Sequence, residues 1–357
     1  MGEELIADCG RMLMVGFRGA RPGDPVLEAS LESCRRAHVG AVVLFDRDLA
    51  SGGEARSRNI ESPEQLVALT ARIREVLGPG VWIAIDQEGG RVARLNETNG
   101  HQRGESPRTV SQMSGPDRDS AWDQQASQLA RAGIDWNLAP GVDLDVAGSG
   151  SVIETGERSF GRDPRLVGQV AADCIARFAQ AGVASCVKHF PGHGSASVDS
   201  HDDLPDITAC HLDDEMEAFR GALNDPSVKN RAALMTAHLL HRGVDPHEPA
   251  SLSREWYRVI REDLGFDGVV LTDALDMGAI TRRYPVRDAM ERAINAGADM
   301  LLLANNMPDR SAEIDPLDAA EHIAHAVRTG RIDGGGARIR DSVRRIDSFR
   351  ASTRLAT

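Results

Sequence analysis

Short, almost continuously apolar runs recur along the chain, separated by stretches whose apolar residues return every three or four positions. The runs cover 12–17, 40–45, 81–86, 134–140, 184–190, 232–238, 268–274 and 298–305. Runs this short and this apolar suit strands buried on both faces, as in a parallel sheet. The intervening stretches, such as 63–77, 164–182 and 253–265, have helical periodicity. Ser62-Pro63 and Ser253 are placed to start helices, and Gly182, Gly265 and Gly297 to stop them before the next strand. Eight strands alternating with helices predict an α/β fold of the TIM-type (β/α)8 barrel kind. A single domain over 1–357 is expected, with a further helix after about residue 335. A doubly wound open sheet is the rival, but its nucleotide loop is missing. Gly148-Ser149-Gly150 lacks the third glycine and follows no strand-to-helix turn.

Composition narrows the partners. The 357 residues are 41% hydrophobic and 27% charged, an ordinary globular balance. The formal net charge of −13, with no basic run free of interleaved acids, speaks against nucleic acid or an anionic membrane as partner. The five cysteines (Cys9, Cys34, Cys174, Cys186, Cys210) are widely spaced and form no C-x-x-C pair, so neither a zinc ribbon nor a disulfide framework is indicated. The first residues, MGEELIADCGRMLMVGF, carry acids where a signal peptide has basic residues, and no apolar run approaches a membrane span. A cytoplasmic protein is expected, and the Asn96-Glu97-Thr98 sequon reads as chance. Only two of the 41 basic residues are lysine, which makes Lys188 conspicuous. The stretch 47–60 has the marks of a mobile surface loop.

In a barrel the chemistry sits at the carboxyl ends of the strands. Those ends are rich here. One run closes in Asp86-Gln87-Glu88-Gly89-Gly90-Arg91, another in Lys188-His189-Phe190-Pro191-Gly192-His193-Gly194, a third in His238 and a fourth in Thr272-Asp273-Ala274-Leu275-Asp276-Met277. A single charge at a strand end is usually a solvated cap, but four such ends together point to a site. After Lys188, with Gly192 and Gly194 making the loop adaptable, comes Asp199-Ser200-His201. On an extended loop that Asp can orient the His and raise its basicity, the arrangement needed for proton transfer near neutral pH. An incidental surface Asp-His pair is the plain alternative. A metal site built from His189, His193, Asp199, His201 and His238 competes for the same residues. No H-x-H or H-E-x-x-H spacing supports it, and Lys188 would repel a cation. Asp276 reads as a cap, His193 as structural within its loop and Cys186 as core.

The motif K-H-F-P-G-H-G followed by D-S-H, over 188–201, resembles glycoside hydrolase family 3, and within it the bacterial β-N-acetylhexosaminidases of peptidoglycan recycling. The resemblance extends to the stretch Asp86 to Val92 with Arg94, Glu157 to Pro164, Pro249 to Ser253, and Gly268 to Asp273, all in family order over about residues 8 to 305. It implies that Asp273, with Met277 in its motif, is the catalytic nucleophile. It implies His201 as acid/base with Asp199 as its partner, and Asp86, Arg94, Arg158, Lys188 and His189 as residues binding the −1 sugar. No metal and no cofactor are implied, the partner is a small carbohydrate substrate, and a monomer is the family default. Many members carry a second α/β sandwich domain that supplies the acid/base; this chain is too short for one, which agrees with the acid lying in the barrel loop.

The activity this implies is retaining exo-cleavage of terminal β-linked N-acetylglucosamine through a glycosyl-enzyme intermediate. Other readings belong to different classes: a metal-dependent barrel hydrolase, a non-catalytic sugar-binding descendant, a β-glucosidase of the same family, or a phosphorylase, since a His acid/base would not repel phosphate.

Overall fold

The computed structural model describes residues 2–51, 57–146, 148–196, 200, 203–225, 228 and 230–353. All eight apolar runs contain strands: β1 (Leu13–Gly16), β2 (Ala41–Leu44), β3 (Trp82–Ile85), β6 (Trp136–Asn137), β7 (Ser185–Phe190), β8 (Ala232–Thr236), β9 (Val270–Thr272) and β10 (Leu301–Leu303). Every residue of these strands is buried, as near-continuous apolar runs require when both faces of the strands are covered. Two further short strands, β4 (Gln87–Gly89) and β5 (Val92–Ala93), form an antiparallel ribbon just beyond β3.

The long strands pair in parallel throughout. One ladder has the order β10-β1-β2-β3-β6 and the other β7-β8-β9. Three isolated parallel bridges join the ladders: Trp136 to Ala184 and Gly141 to Lys188 between the β6 and β7 stretches, and Leu271 to Met300 between β9 and the approach of β10. Among the described residues the pairing is a mostly parallel α/β sheet in two ladders joined by these single bridges.

The helices fall where the periodicity placed them. Pro63–Leu77 begins with Ser62, whose side chain accepts from the Gln65 N–H, and Pro164–Gln180 begins with Asp163. Arg254–Arg258, capped by Ser253, continues as a π-helical turn over Val259–Asp263. The helix expected after residue 335 is Gly335–Thr353. Its Phe349 stacks on Trp82 at 5.3 Å and meets Trp136 edge-on at 5.3 Å. Trp82 and Trp136 open β3 and β6, so this helix packs across the amino ends of the strands and leaves the opposite face for chemistry.

One expectation about a loop needs correcting. Within 47–60, residues 52–56 lie outside the described residues, but the flanks are anchored rather than loose. Arg47 and Ser57 form an antiparallel bridge. The Arg58 guanidinium, fully buried, donates to Asn306 Oδ1 at 2.9 Å and to the Asn305 carbonyl at 2.7 Å. Asn59, also buried, bonds the backbone of Phe45, Phe17 and Gly19. Two long-range polar anchors outweigh a loop-like local composition.

Candidate active site

The carboxyl ends of the strands surround a cavity of about 370 Å³. Six of the eight site residues singled out from the sequence line it: Asp86, Arg94, Arg158, Lys188, His189 and Asp273. The other two, Asp199 and His201, lie outside the described residues. Ser200, between them, is described and lines the cavity.

Most of these side chains are delivered by strand ends, whereas Arg158 comes from the loop before the helix Pro164–Gln180. Asp86 follows β3, and the chain then folds back as the β4–β5 ribbon. Gln87 fixes that ribbon, donating to the Leu95 and Arg103 carbonyls at 3.0 and 2.8 Å and accepting from the Leu95 N–H at 2.9 Å. Lys188 and His189 end β7. Asp273 follows β9, its N–H donating to the Thr236 carbonyl at 2.8 Å and its Oδ1 accepting from the Ala274 N–H at 2.8 Å. Thr272 and Ala274 beside it are buried, whereas Asp273 is half-buried at the cavity wall.

The floor is a lattice of opposite charges. Lys188 Nζ lies 2.9 Å from Asp86 Oδ1 and 2.8 Å from Glu88 Oε1. Arg158 grips Glu88 with two parallel bonds, Nε to Oε2 and Nη2 to Oε1, both 2.8 Å. Arg94 reaches Asp86 at 3.5 Å and Asp46 at 3.8 Å. Burial pushes the Asp86 carboxyl up, but Lys188 and Arg94 outweigh it and hold it below its ordinary value. Glu88 is held well below, burial again opposing and Arg158 and Lys188 prevailing. Burial would lower Lys188, yet the two carboxylates raise it. The lattice therefore presents fixed full charges to any ligand above it.

His189 links this floor to a second layer. Its Nδ1 lies 2.7 Å from Asp143 Oδ2, and Arg158 Nη2 lies 3.3 Å from its Nε2. Since a guanidinium can only donate, Nε2 accepts and Nδ1 carries the hydrogen given to Asp143. Asp143 Oδ1 also accepts from the backbone N–H of His193 at 2.7 Å and of His189 at 3.2 Å.

The segment after His189 is held close. A Cβ on Gly192, at φ +128°, would come 2.1 Å from Glu215 Oε2, and one on Gly194 would come 2.1 Å from the Leu144 carbonyl. These glycines serve close approach, not slack. His193 is buried and structural, as expected, and its Nε2 lies 3.3 Å from Ser200 Oγ. Burial, with the neighbouring His189, lowers its pKa to about 4.

Asp276 is not a helix cap. It is buried, its Oδ1 accepts from the Ala304 N–H at 2.9 Å, and it holds the loop after β10; burial raises its pKa against those N–H bonds. The helix that follows, Gly278–Thr281, has no side-chain cap. His238 is bonded within the core, its Nε2 donating to the Ala274 carbonyl at 2.8 Å and its Nδ1 lying 2.7 Å from Ser251 Oγ. Among the described residues no three His, Cys, Asp or Glu side chains gather as metal ligands. Four of the five cysteines are buried, Cys186 among them, and Cys210 is exposed.

Glu88, Asp143 and Glu215 are parts of the site that the sequence reading did not single out. Glu88 lies within a quoted motif, but nothing local marks it as the partner of residues 70 and 100 positions away. Asp143 had a signal: it follows the 134–140 run by three residues and so belongs to a strand end.

A parallel α/β scaffold whose strand ends bring carboxylates, guanidinium, ammonium and imidazole groups around one cavity is that of an enzyme for polyhydroxylated ligands, as glycosidases are. The comparisons with known proteins agree. The model of the glycosyl hydrolase family 3 N terminal domain matches residues 8–349. A β-hexosaminidase of Alkalilimnicola ehrlichii is 36% identical over 308 residues, covering 82% of this chain and 80% of that protein. One of Bordetella avium is 34% identical over 305 residues, covering 82% and 81%. Among solved structures, a family 3 β-N-acetylglucosaminidase from Paenibacillus superposes with a TM-score of 0.82 at 31% identity, over 99% of this chain and 64% of that one. The chain belongs to glycoside hydrolase family 3. No described helix is long and apolar enough to cross a membrane.

Proposed function

We propose that this family 3 glycosidase is a retaining exo-β-N-acetylglucosaminidase, releasing terminal N-acetylglucosamine from small fragments of peptidoglycan or chitin. The observation that carries the reading is the meeting of Asp273 with Asp86, Arg94, Arg158, Lys188 and His189 around one cavity. Its two ladders are read as arcs of one eight-stranded (β/α) barrel, supported by the bridges at both junctions and by the likeness to the Paenibacillus enzyme. The whole chain is read as one catalytic domain.

In this reading Asp86 accepts from sugar hydroxyls, and Arg94, Arg158 and Lys188 donate to the ring substituents. A site whose charges are already fixed by one another needs little reorganisation when charge develops on the ring. Asp273 Oδ attacks the anomeric carbon as the bond to the leaving oxygen breaks, and protonated His201, oriented by Asp199, gives that oxygen its proton. Water then attacks the glycosyl-aspartate, His201 takes the water's proton, and Asp273 leaves as carboxylate. Net configuration is retained. Ser200, the described chain neighbour of His201, lines the cavity wall, which supports the reading of His201 as the acid/base.

Rates on 4-nitrophenyl N-acetyl-β-glucosaminide and the matching β-glucoside test the substrate. Strong preference for the N-acetyl sugar is expected; preference for the glucoside would keep the scaffold and nucleophile but overturn the sugar. Asp273→Ala is expected to abolish turnover of every substrate. His201→Ala should harm an activated aryl glycoside far less than a disaccharide such as diacetylchitobiose, because a good leaving group needs little protonation. Equal losses on both would refute the assigned roles.

A further inference from the structure

We infer that Glu215 is a positioning residue for the acid/base loop, its buried carboxyl fixing the backbone of the segment that runs from the sugar-binding His189 toward His201. This rests on the assignment of His201 as the acid.

Glu215 sits on the helix Asp213–Leu223 and is fully buried. Its Oε1 accepts from the Ser195 N–H at 3.0 Å. Gly192 lies directly against the carboxyl, so close that no side chain fits between them. The same helix supplies Phe219, whose ring meets Phe190 edge-on at 5.3 Å at the start of the segment. The segment's far end, Ala196, is buried in a small apolar cluster with Ile207, Ala237 and Leu239. Between these two apolar anchors Glu215 provides a polar hold from below, and Asp143 provides the other through the His193 N–H.

A buried acid is an expensive way to accept one N–H bond, since an amide would accept it with no charge to bury. Glu215 has a second neighbour, His211, whose Nε2 lies 3.1 Å from the Pro191 carbonyl and 3.6 Å from Glu215 Oε2. His211 therefore donates to the segment at the Pro191 carbonyl while Glu215 accepts from it at the Ser195 N–H. The pair, His211 just before the helix and Glu215 in its first turn, grips the segment by a carbonyl and an N–H. Oε2 has no hydrogen-bond partner among the described residues. Burial and the nearby Asp143 raise the Glu215 pKa to about 8, so near neutrality the group is a neutral acid that an amide can imitate.

The test is the ratio of kcat/KM on 4-nitrophenyl N-acetyl-β-glucosaminide to kcat/KM on diacetylchitobiose. This ratio does not depend on the fraction of enzyme that is folded. Glu215→Ala should raise it by about tenfold or more, because a displaced acid harms the poor leaving group selectively. Glu215→Gln, which keeps the acceptor for Ser195, should leave it within about threefold of the wild type. His201→Ala is the control. If His201→Ala raises the ratio and Glu215→Ala does not, this inference is overturned and the acid assignment stands. If neither raises it, the acid assignment fails and the inference falls with it. A Gln variant as impaired as the Ala variant would also overturn it.

Discussion

Two carboxyls lie buried beneath the segment from His189 to Ala196, both accept its backbone N–H groups, and their acidities lie on opposite sides of neutrality. Asp143 is pulled down to about 2 and Glu215 pushed up to about 8. Burial raises both, so burial does not separate them. What separates them is first the His189 imidazole beside Asp143, which lowers it most, and then the number of donors. Asp143 is met on both oxygens, by two backbone N–H groups and the Nδ1–H of His189, and by His193 nearby. Glu215 has one N–H and faces the charge of Asp143 itself. A buried carboxyl ionises when its surroundings replace most of the water it has lost, and otherwise stays protonated. One is thus a charged orienter of the cavity-lining His189, the other an uncharged strut.

The larger consequence belongs to the charged member. Asp143→Asn keeps the size and still accepts the N–H groups of His193 and His189, but it turns an NH2 group toward His189 Nδ1. The imidazole must then accept there and carry its hydrogen on Nε2, facing the Arg158 guanidinium 3.3 Å away. Losses of about 10²-fold to 10⁴-fold in kcat/KM are expected, the range seen when a histidine loses the partner that fixes its tautomer. Glu215→Gln, the same exchange at the other acid, should cost about threefold or less, since no charge is removed at neutral pH. Parallel kinetics on the two variants decide this, and equal losses would mean that the two carboxyls do the same work.

The pair also shows what the sequence made legible. All eight strands, the helices at 63–77 and 164–182, and six residues of the cavity could be read from apolar periodicity, the strand-end rule and a family motif. Those signals are local, or lie at the ends of local elements. The β4–β5 ribbon escaped because five residues with glycines at the turn have no measurable period. Glu88, Asp143 and Glu215 escaped because what makes them matter is a partner brought near by the fold: Arg158 for the first, His189 for the second, Ser195 for the third. Glu215 stands in an acidic stretch, Asp213-Asp214-Glu215-Met216-Glu217, where charge alone suggests a solvated helix start. Only its place on the inward face, beside Ala218 and Phe219, buries it. Asp276 misled for the same reason, since its helix-start position concealed a bond from the Ala304 N–H in another strand's loop.

The smaller consequence concerns stability and runs in opposite directions for the two acids. Asp143 has a folded pKa of about 2 against an ordinary 3.8. The unfolded chain binds its proton first, so this contribution is present above pH 3.8 and is lost as pH falls through 2. Glu215 has a folded pKa of about 8 against an ordinary 4.5. Here the folded chain keeps its proton longer, so the contribution is complete below pH 4.5 and is lost as pH rises through 8. His211 and Asp143 are the titrating groups that face it. An amide at 215 has no proton to lose, so Glu215→Gln should match the wild type in thermal stability near pH 4.5. It should then gain on it steadily up to pH 8, by about 5 kcal/mol at most. Asp143→Asn should instead be less stable than the wild type at neutral pH by about 2 kcal/mol, with the difference shrinking toward pH 2. Melting curves across pH 4.5 to 8.5 read the first of these directly. A Gln variant whose advantage stays flat with pH would mean that Glu215 is already ionised in the folded protein, and the contrast between the two acids would be lost.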